Sequence, residues 1–119
     1  MIGMKNIEFE KSIILVLIEI IEYVPNSVVS KTIIRKTTGN ISIVAMDKGE
    51  ALAENISPFD NFIQIIEGTA EVIIEDNSNT LQTGQGIIIP AHASHIIKAN
   101  VRFKMISTII KSGYEGILI

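Results

Sequence analysis

Apolar and polar residues alternate along most of the chain after Val28, with the two-residue period of β-strands. In one segment, Ala70, Val72 and Ile74 fall on one face while threonine and glutamate residues fall on the other. The predicted strands are Val28–Thr37, Asn40–Lys48, Ala51–Asn55, Phe62–Glu67, Thr69–Asp76, Thr80–Gln82, Gly86–Ile89, Ser94–Ala99 and Val101–Lys111.

Turns rich in glycine or asparagine separate these segments. They fall at Gly39, Gly49, Gly68, Asp76–Asn79 and Gly84. Many short strands with regular turns are typical of an antiparallel sandwich or barrel, and the jelly roll is one such arrangement. We therefore predict one all-β barrel domain over residues 28–119.

Residues 1–27 form a separate N-terminal segment with a different pattern. Its apolar residues follow a helical stripe, which comprises Ile13, Ile14, Leu17, Ile20, Ile21 and Val24. Ser12 is a candidate N-cap, and Pro25 would end the helix. The pattern favours a short helix over residues 12–22, although the isoleucine content also permits a strand.

Composition limits the function classes. Of the 119 residues, 47% are apolar and only 5% are aromatic, so isoleucine and valine must dominate the core. The net charge of -3 shows no basic footprint, and we expect no nucleic-acid partner. The chain has no cysteine, which excludes disulfides and thiolate metal sites.

The apolar run Ile13–Ile18 is too short to span a bilayer, which requires roughly 20 residues. Glu8 and Glu10 precede it, whereas a signal peptide begins with basic residues. We therefore expect a soluble, cytoplasmic protein without a membrane partner.

The most informative stretch is Gly84–His95. A glycine turn leads into an apolar strand that ends at Pro90, and His95 follows five residues later. The stretch resembles the second sequence motif of the cupins, G-x5-P-x-G-x2-H, with His92 at the position of the second glycine. The resemblance implies a jelly-roll cupin barrel (a double-stranded β-helix), and in metal-binding cupins the histidine at the His95 position is a metal ligand.

The first cupin motif, G-x5-H-x-H-x3-4-E-x6-G, is matched only in its glycines, Gly49 and Gly68. Asn55, Ser57 and Asn61 occupy the two histidine positions and the glutamate position. The fifteen residues between Gly68 and Gly84 are also a typical cupin spacing. The resemblance therefore implies a cupin whose metal site is degenerate.

Several further segments resemble a group of small single-domain bacterial cupins, of the type-2 conserved-barrel kind, with no firmly assigned reaction. These segments are Val29–Thr32, Thr38–Asn40, Met46–Gly49, Pro58–Asp60 and Glu67–Gly68. Members of that group often have a histidine at the Asn55 position and none at the Ser57 position.

A divalent metal in a cupin is bound by neutral imidazoles and a carboxylate inside the barrel. The side chains of Asn55, Ser57 and Asn61 offer only neutral oxygen atoms, which suit a transition metal poorly. We therefore expect no metal and no cofactor. His95 is interpreted first as a polar pocket residue bonded to an asparagine or water, with a general base in a metal-free reaction left open.

Ile63 and Ile65 share the strand face of Asn61 and are expected to form an apolar wall. Asp60 and His92 are interpreted first as turn residues, and each also falls near the predicted pocket mouth. The predicted ligand pocket comprises Asn55, Ser57, Asp60, Asn61, Ile63, Ile65, His92 and His95.

The N-terminal apolar stripe, together with the outward-facing Ile73, exceeds what a small monomer covers. We therefore expect a homodimer with residues 1–27 at the contact. The favoured function is binding of a small polar molecule without a catalytic metal. The alternative is a metal-free isomerase or epimerase on a sugar-like or keto-acid substrate with His95 as base. A metal-dependent oxygenase and a purely structural barrel are disfavoured.

Overall fold

The structure, a computed structural model, describes residues 8–113, with residues 54 and 55 described by their backbone alone. It contains strands and no helix in that range. The strands are β1 (Val28–Lys36), β2 (Gly39–Met46), β3 (Ala51–Ile56), β4 (Asp60–Ile74), β5 (Asn77–Gln82), β6 (Gly86–Ile89), β7 (Ser94–Lys98) and β8 (Phe103–Ile110). The predicted all-β class is confirmed.

All strand pairs are antiparallel, and the strands curl into two layers around one core. The first layer has the order β1-β2-β8-β4-β6, and the second has the order β3-β7-β4-β5. Strand β4 belongs to both layers, so its two halves pair with different neighbours. This arrangement is the predicted jelly-roll barrel.

Gly68 lies inside β4, and the prediction of a turn there is wrong. The residue has a φ of +89°, and a side chain at this position would collide with the carbonyl oxygen of Arg102. The register of β4 against β8 shifts between Ile65 and Glu67, next to this glycine. A positive φ lets a strand bend as readily as it lets a chain turn, and here it carries β4 from one layer into the other.

The core lies between the two layers. Isoleucine and valine side chains dominate it, as the composition predicts, with one phenylalanine and two methionines added. Its fully buried members include Met46, Ile63, Ile65, Val72, Ile89, Phe103 and Met105.

The favoured helix over residues 12–22 is wrong, because the described part of the N-terminal segment consists of turns and bends. Two of its main-chain carbonyl groups accept hydrogen bonds from lysine side chains of the barrel, and not from the next turn of a helix. Lys104 Nζ donates to the carbonyl of Ile18, and Lys31 Nζ donates to that of Ile20 at 2.9 Å. β-Branched isoleucines have only modest helix propensity, so these contacts with the sheet prevail.

Ile21 anchors the N-terminal segment to the outer face of the first layer. Its side chain is fully buried against Ile43 and Ala45 of β2. Nearby, the hydroxyl of Tyr23 donates to Glu67 Oε1 at 2.7 Å. The stripe that resembled a helix face is thus divided between one buried anchor and several exposed side chains.

Within residues 8–113, no helix has the length and hydrophobicity that crossing a bilayer requires.

Candidate functional site

A cavity of about 500 Å³ opens between the two layers at one end of the barrel. Side chains from β1, β2, β3, β4, β7 and β8 surround it. They are Ser30, Ser42, Val44, Leu52, Ala53, Asn61, Ile63, His95, Ile97, Met105 and Ser107.

The polar side chains of this cavity follow from the alternation of the strands. Along four strands, the inward residue at the cavity end is polar, and the next two inward positions are apolar and buried, the last position of the fourth row falling just after β7. These inward rows are Ser42–Val44–Met46, Asn61–Ile63–Ile65, Ser107–Met105–Phe103 and His95–Ile97–Ala99. The polar ends of the first layer lie close together because Ser42 pairs opposite Ser107. Ile63 also pairs with Ser107, and Asn61 is the next inward residue of β4 after Ile63.

Asn61 is fixed by Ser107 on the neighbouring strand. The hydroxyl of Ser107 donates to Asn61 Oδ1 at 2.8 Å, and both residues are shielded from solvent in part. Since the amide oxygen accepts this bond, the amide nitrogen is the end of Asn61 that offers hydrogens to the cavity. The pair therefore presents a donor of defined orientation at the polar end.

His95 lies in the cavity wall and is only 9% exposed. Its Nδ1 atom is 3.5 Å from the carbonyl oxygen of Ala93, which is long for a hydrogen bond. Among the described side chains, no aspartate or glutamate hydrogen-bonds the imidazole. Within the described residues, the ring thus has no carboxylate partner of the kind that orients a catalytic histidine in many enzymes.

The donor set of the described residues does not match the usual ligands of a catalytic transition metal. No group of three or more histidine, cysteine, aspartate or glutamate residues that could bind a metal occurs among the residues the structure describes. The described side chains of the cavity offer one imidazole, one amide and three serine hydroxyls. Such metals are bound in proteins mainly by imidazole, thiolate and carboxylate, so these residues make a poor site.

Of the predicted pocket residues, Asn61, Ile63 and His95 line the cavity. Ile65 lies on the same inward row but deeper, in the core, where it is 1% exposed. The main chain of Asn55 pairs directly opposite His95, while its side chain lies outside the described part.

The remaining predicted pocket residues connect two loops at the cavity end. The carbonyl of Ser57 accepts from the main-chain N–H of His92 at 2.6 Å. Asp60 Oδ1 accepts from the N–H of Ala91 at 2.8 Å, and Ser57 Oγ accepts from that of Phe59 at 3.1 Å. The structure therefore gives Ser57 and Asp60 bonds that stabilise these loops, and the cavity wall does not include them.

His92 is exposed and has a φ of +70°. This left-handed conformation favours glycine, which is the residue that the second cupin motif has at this position. The chain thus keeps the backbone geometry of the motif after losing its glycine, and the side chain of His92 points into solvent.

The pocket predicted from the sequence does not include Ser30, Ser42 and Ser107, which line the cavity. The signal for Ser107 was present in the alternation, because a count in steps of two from Phe103 through Met105 reaches it. The same count from Met46 through Val44 reaches Ser42.

The comparisons with known proteins fit this architecture. No family model matches the chain. Protein SchB of Streptomyces halstedii is 32% identical over 60 residues, which are 50% of this chain and 44% of SchB, so the match spans less than half of that relative.

Two solved structures superpose over most of this chain, each with 26% identity. One is a conserved protein of unknown function from Streptococcus pyogenes, with a TM-score of 0.83 over 88% of this chain and 92% of its own. The other is a cupin superfamily protein from Desulfitobacterium hafniense, with a TM-score of 0.82 over 88% of this chain and 96% of its own. With the glycine–proline frame and the two-layer barrel, these likenesses show that the chain belongs to the cupin superfamily.

Proposed function

We propose that the barrel binds a small, uncharged, hydroxyl-rich molecule, such as a sugar-like compound, without a catalytic metal. The observation that carries this proposal is the chemistry of the cavity wall. Its polar end presents the amide of Asn61, the imidazole of His95 and serine hydroxyls, and among the residues whose side chains the structure describes no lysine, arginine, aspartate or glutamate lines it.

Size and polarity support the same ligand class. A volume of about 500 Å³ lies in the range of ordinary small-molecule sites, roughly 300–1,000 Å³. Ile63, Val44 and Leu52 supply an apolar wall, while the amide and hydroxyls can both donate to and accept from ligand hydroxyls. A keto acid fits less well, because burying its carboxylate without a cation nearby is costly.

A metal-free isomerase or epimerase with His95 as base is the second candidate. The burial of an imidazole in the cavity wall favours it. The missing carboxylate partner among the described side chains weighs against it. Exchange of a substrate C–H proton with deuterated solvent, lost in His95→Ala, would move this candidate to first place.

The experiment is a binding titration of the purified protein with a panel of monosaccharides and sugar alcohols, beside the corresponding sugar acids. Asn61→Ala should weaken binding of the best neutral compound about three- to tenfold, as expected for one lost hydrogen bond of about 0.5–1.5 kcal/mol. Gln64→Ala is the matched control, because Gln64 is an exposed amide on the same strand and lies outside the cavity wall.

Binding only of the acids, or equal affinities for the Asn61→Ala and Gln64→Ala variants, would contradict the proposed ligand class. Elemental analysis tests the other half of the proposal. One equivalent of iron, zinc, manganese or nickel in the protein as purified, lost in His95→Ala, would contradict binding without a metal.

We also propose that the protein is a homodimer. A row of side chains crosses the outer face of the first layer in one register, through Ile34, Ile41, Thr108, Phe62 and Ile88. The two ends of this row are 39% and 62% exposed. A second copy of the same surface would cover it, and isologous pairing of one patch is the commonest solution in soluble proteins.

Light scattering at micromolar concentration tests the dimer. Phe62→Ser should shift the wild-type dimer towards monomer, whereas Gln64→Ser, the next outward residue of the same strand, should leave it unchanged. A monomeric wild-type protein would refute the proposed dimer, and it would not affect the proposal that the cavity binds a ligand.

A further inference from the structure

A second concavity lies outside the barrel, beside the hairpin between β1 and β2. Its volume is about 790 Å³, and it shares no lining residue with the barrel cavity. It is surrounded by three cationic side chains, two hydroxyls and one amide, from Arg35, Lys36, Thr37, Thr38, Asn40 and Lys111.

The fold brings these residues together from two distant parts of the chain. Lys36 ends β1 and pairs with Gly39, so Thr37 and Thr38 form the hairpin turn. Lys111 follows β8, and its main-chain N–H donates to the carbonyl of Thr38 at 2.7 Å. The turn is therefore fixed to the end of β8, and the cations lie on a rigid frame.

Among the described residues, two of the three cationic side chains form no ion pair. Arg35 Nη2 donates only to a neutral hydroxyl, that of Thr32 at 3.4 Å, and Lys111 Nζ lies 5.8 Å from the centroid of the Phe59 ring. Lys36 alone has a carboxylate partner, Glu8, at 3.6 Å. In a chain with a net charge of -3, this is a local concentration of positive charge.

The carboxylate of Glu8, at the edge of the concavity, is stabilised in its ionised form by its surroundings. Its Oε2 atom accepts from the main-chain N–H of Arg35 at 2.6 Å, and this bond lowers the pKa of the carboxyl group. The positive charges of Lys36 and Lys11 add to that effect. A carboxylate of the chain thus already occupies the rim, while no carboxylate of a described residue lines the concavity itself.

We propose that this concavity is a second binding site, for a small molecule that carries a multiply charged phosphate group. The guanidinium of Arg35 suits two oxygens of one phosphate, while Lys36 and Lys111 act as point charges. The hydroxyls of Thr37 and Thr38 can donate to the remaining oxygens. The concavity extends beyond the space that a phosphate alone would fill, which leaves room for an organic part of the ligand.

The test is a titration of the full chain, followed by the NMR shifts of backbone amides at low ionic strength. The probes are inorganic phosphate, inorganic pyrophosphate and adenosine diphosphate. Pyrophosphate should give saturable shifts confined to the concavity and weaken as sodium chloride is added. The expected amides are those of Lys36, Thr37, Thr38, Asn40 and Lys111. Tighter binding of adenosine diphosphate than of pyrophosphate supports an organic ligand, and the reverse order points to a free inorganic anion and overturns that part of the proposal.

Variants distinguish a defined binding site from non-specific electrostatic attraction of anions to the protein surface. Arg35→Gln and Lys111→Gln should each weaken pyrophosphate binding about three- to tenfold. Lys98→Gln, an exposed lysine on β7, is the matched control and should leave the affinity unchanged. Equal melting temperatures of these variants show that the comparison concerns folded protein.

Three results would overturn the proposal. They are shifts that do not saturate by 10 mM pyrophosphate, an equal loss of affinity in Lys98→Gln, and tighter binding of poly-glutamate than of any phosphate compound. Each leaves the barrel cavity untouched, because the two sites share no residue.

Discussion

Replacing Ile21 by alanine tests whether the N-terminal segment is part of the barrel's folding unit. Ile21 is fully buried against Ile43 and Ala45, and it is the deepest contact of residues 8–27 with the sheet. Ile14, seven residues earlier, is 92% exposed. The two positions thus offer the same substitution in the same segment at opposite extremes of burial.

The expected magnitude follows from the burial. Ile→Ala removes three carbon atoms, and about 0.8 kcal/mol for each gives a transfer loss of about 2.4 kcal/mol. The cavity left behind adds to this, since such substitutions at buried positions cost about 2–5 kcal/mol. The segment can settle onto the sheet in part, so we expect a loss of about 3 kcal/mol. This is a large share of the roughly 5–15 kcal/mol that stabilise a domain.

Urea unfolding followed by circular dichroism measures the effect. With an m value of about 1–3 kcal/mol/M, Ile21→Ala should lower the midpoint by roughly 1–3 M. Ile14→Ala should change the free energy of unfolding by less than about 0.5 kcal/mol. Equal midpoints for the two variants would refute the reasoning, because the barrel would then unfold independently of the segment.

Four further substitutions probe the backbone and the titrating groups. Gly68→Ala should lower the free energy of unfolding by more than the roughly 1–2 kcal/mol of left-handed strain, because its methyl group also meets a main-chain carbonyl, and urea unfolding measures this. His92→Gly should raise the melting temperature slightly, because glycine adopts φ of +70° without strain, and a lower melting temperature would contradict this account. Burial raises the pKa of Tyr23, and the hydrogen bond to Glu67 raises it further. The protonated hydroxyl therefore contributes its full stabilisation below about pH 10, and this stabilisation is lost as the pH rises further. Unfolding at pH 9 and pH 11 should show this loss in the wild type and a smaller one in Tyr23→Phe. Main-chain hydrogen bonds, foremost that from Asn26, lower the pKa of Asp47. The ionised carboxylate therefore stabilises the fold above about pH 4, and this stabilisation is lost as the pH falls. Urea unfolding should show a smaller loss of stability at acidic pH in Asp47→Asn than in the wild type.

The alternation of apolar residues predicts the strands well, because a barrel with one buried face imposes it directly. It does not predict how strands connect. A glycine such as Gly68 fits a turn and a bend equally well, and only the close approach of Arg102 decides between them. The helix predicted from the stripe through Ile21 was wrong for a related reason. Periodicity shows that a residue is buried but does not show which part of the fold it packs against.

The candidate site, like the fold, was predictable from the sequence only in part. Motif spacing led to Asn61 and His95, because both follow glycines whose positions fix the strand register. The same spacing led to Ser57, although its bonds lie within the loops. Ser107 has no motif of its own, and its importance appears only when β8 is paired with β4 and the hydrogen bond to Asn61 is seen.

The inward rows of the barrel have an evolutionary consequence. At Ser42, Asn61, His95 and Ser107 the polar end of a row faces the cavity, while the apolar remainder of the same strand belongs to the core. We expect mutations at these four positions to change which ligand the proposed site prefers and to leave the buried apolar residues of the same rows intact. Selection for a new ligand can therefore proceed here without first losing the fold. A library randomised at these positions should yield mostly folded proteins with divergent binding preferences.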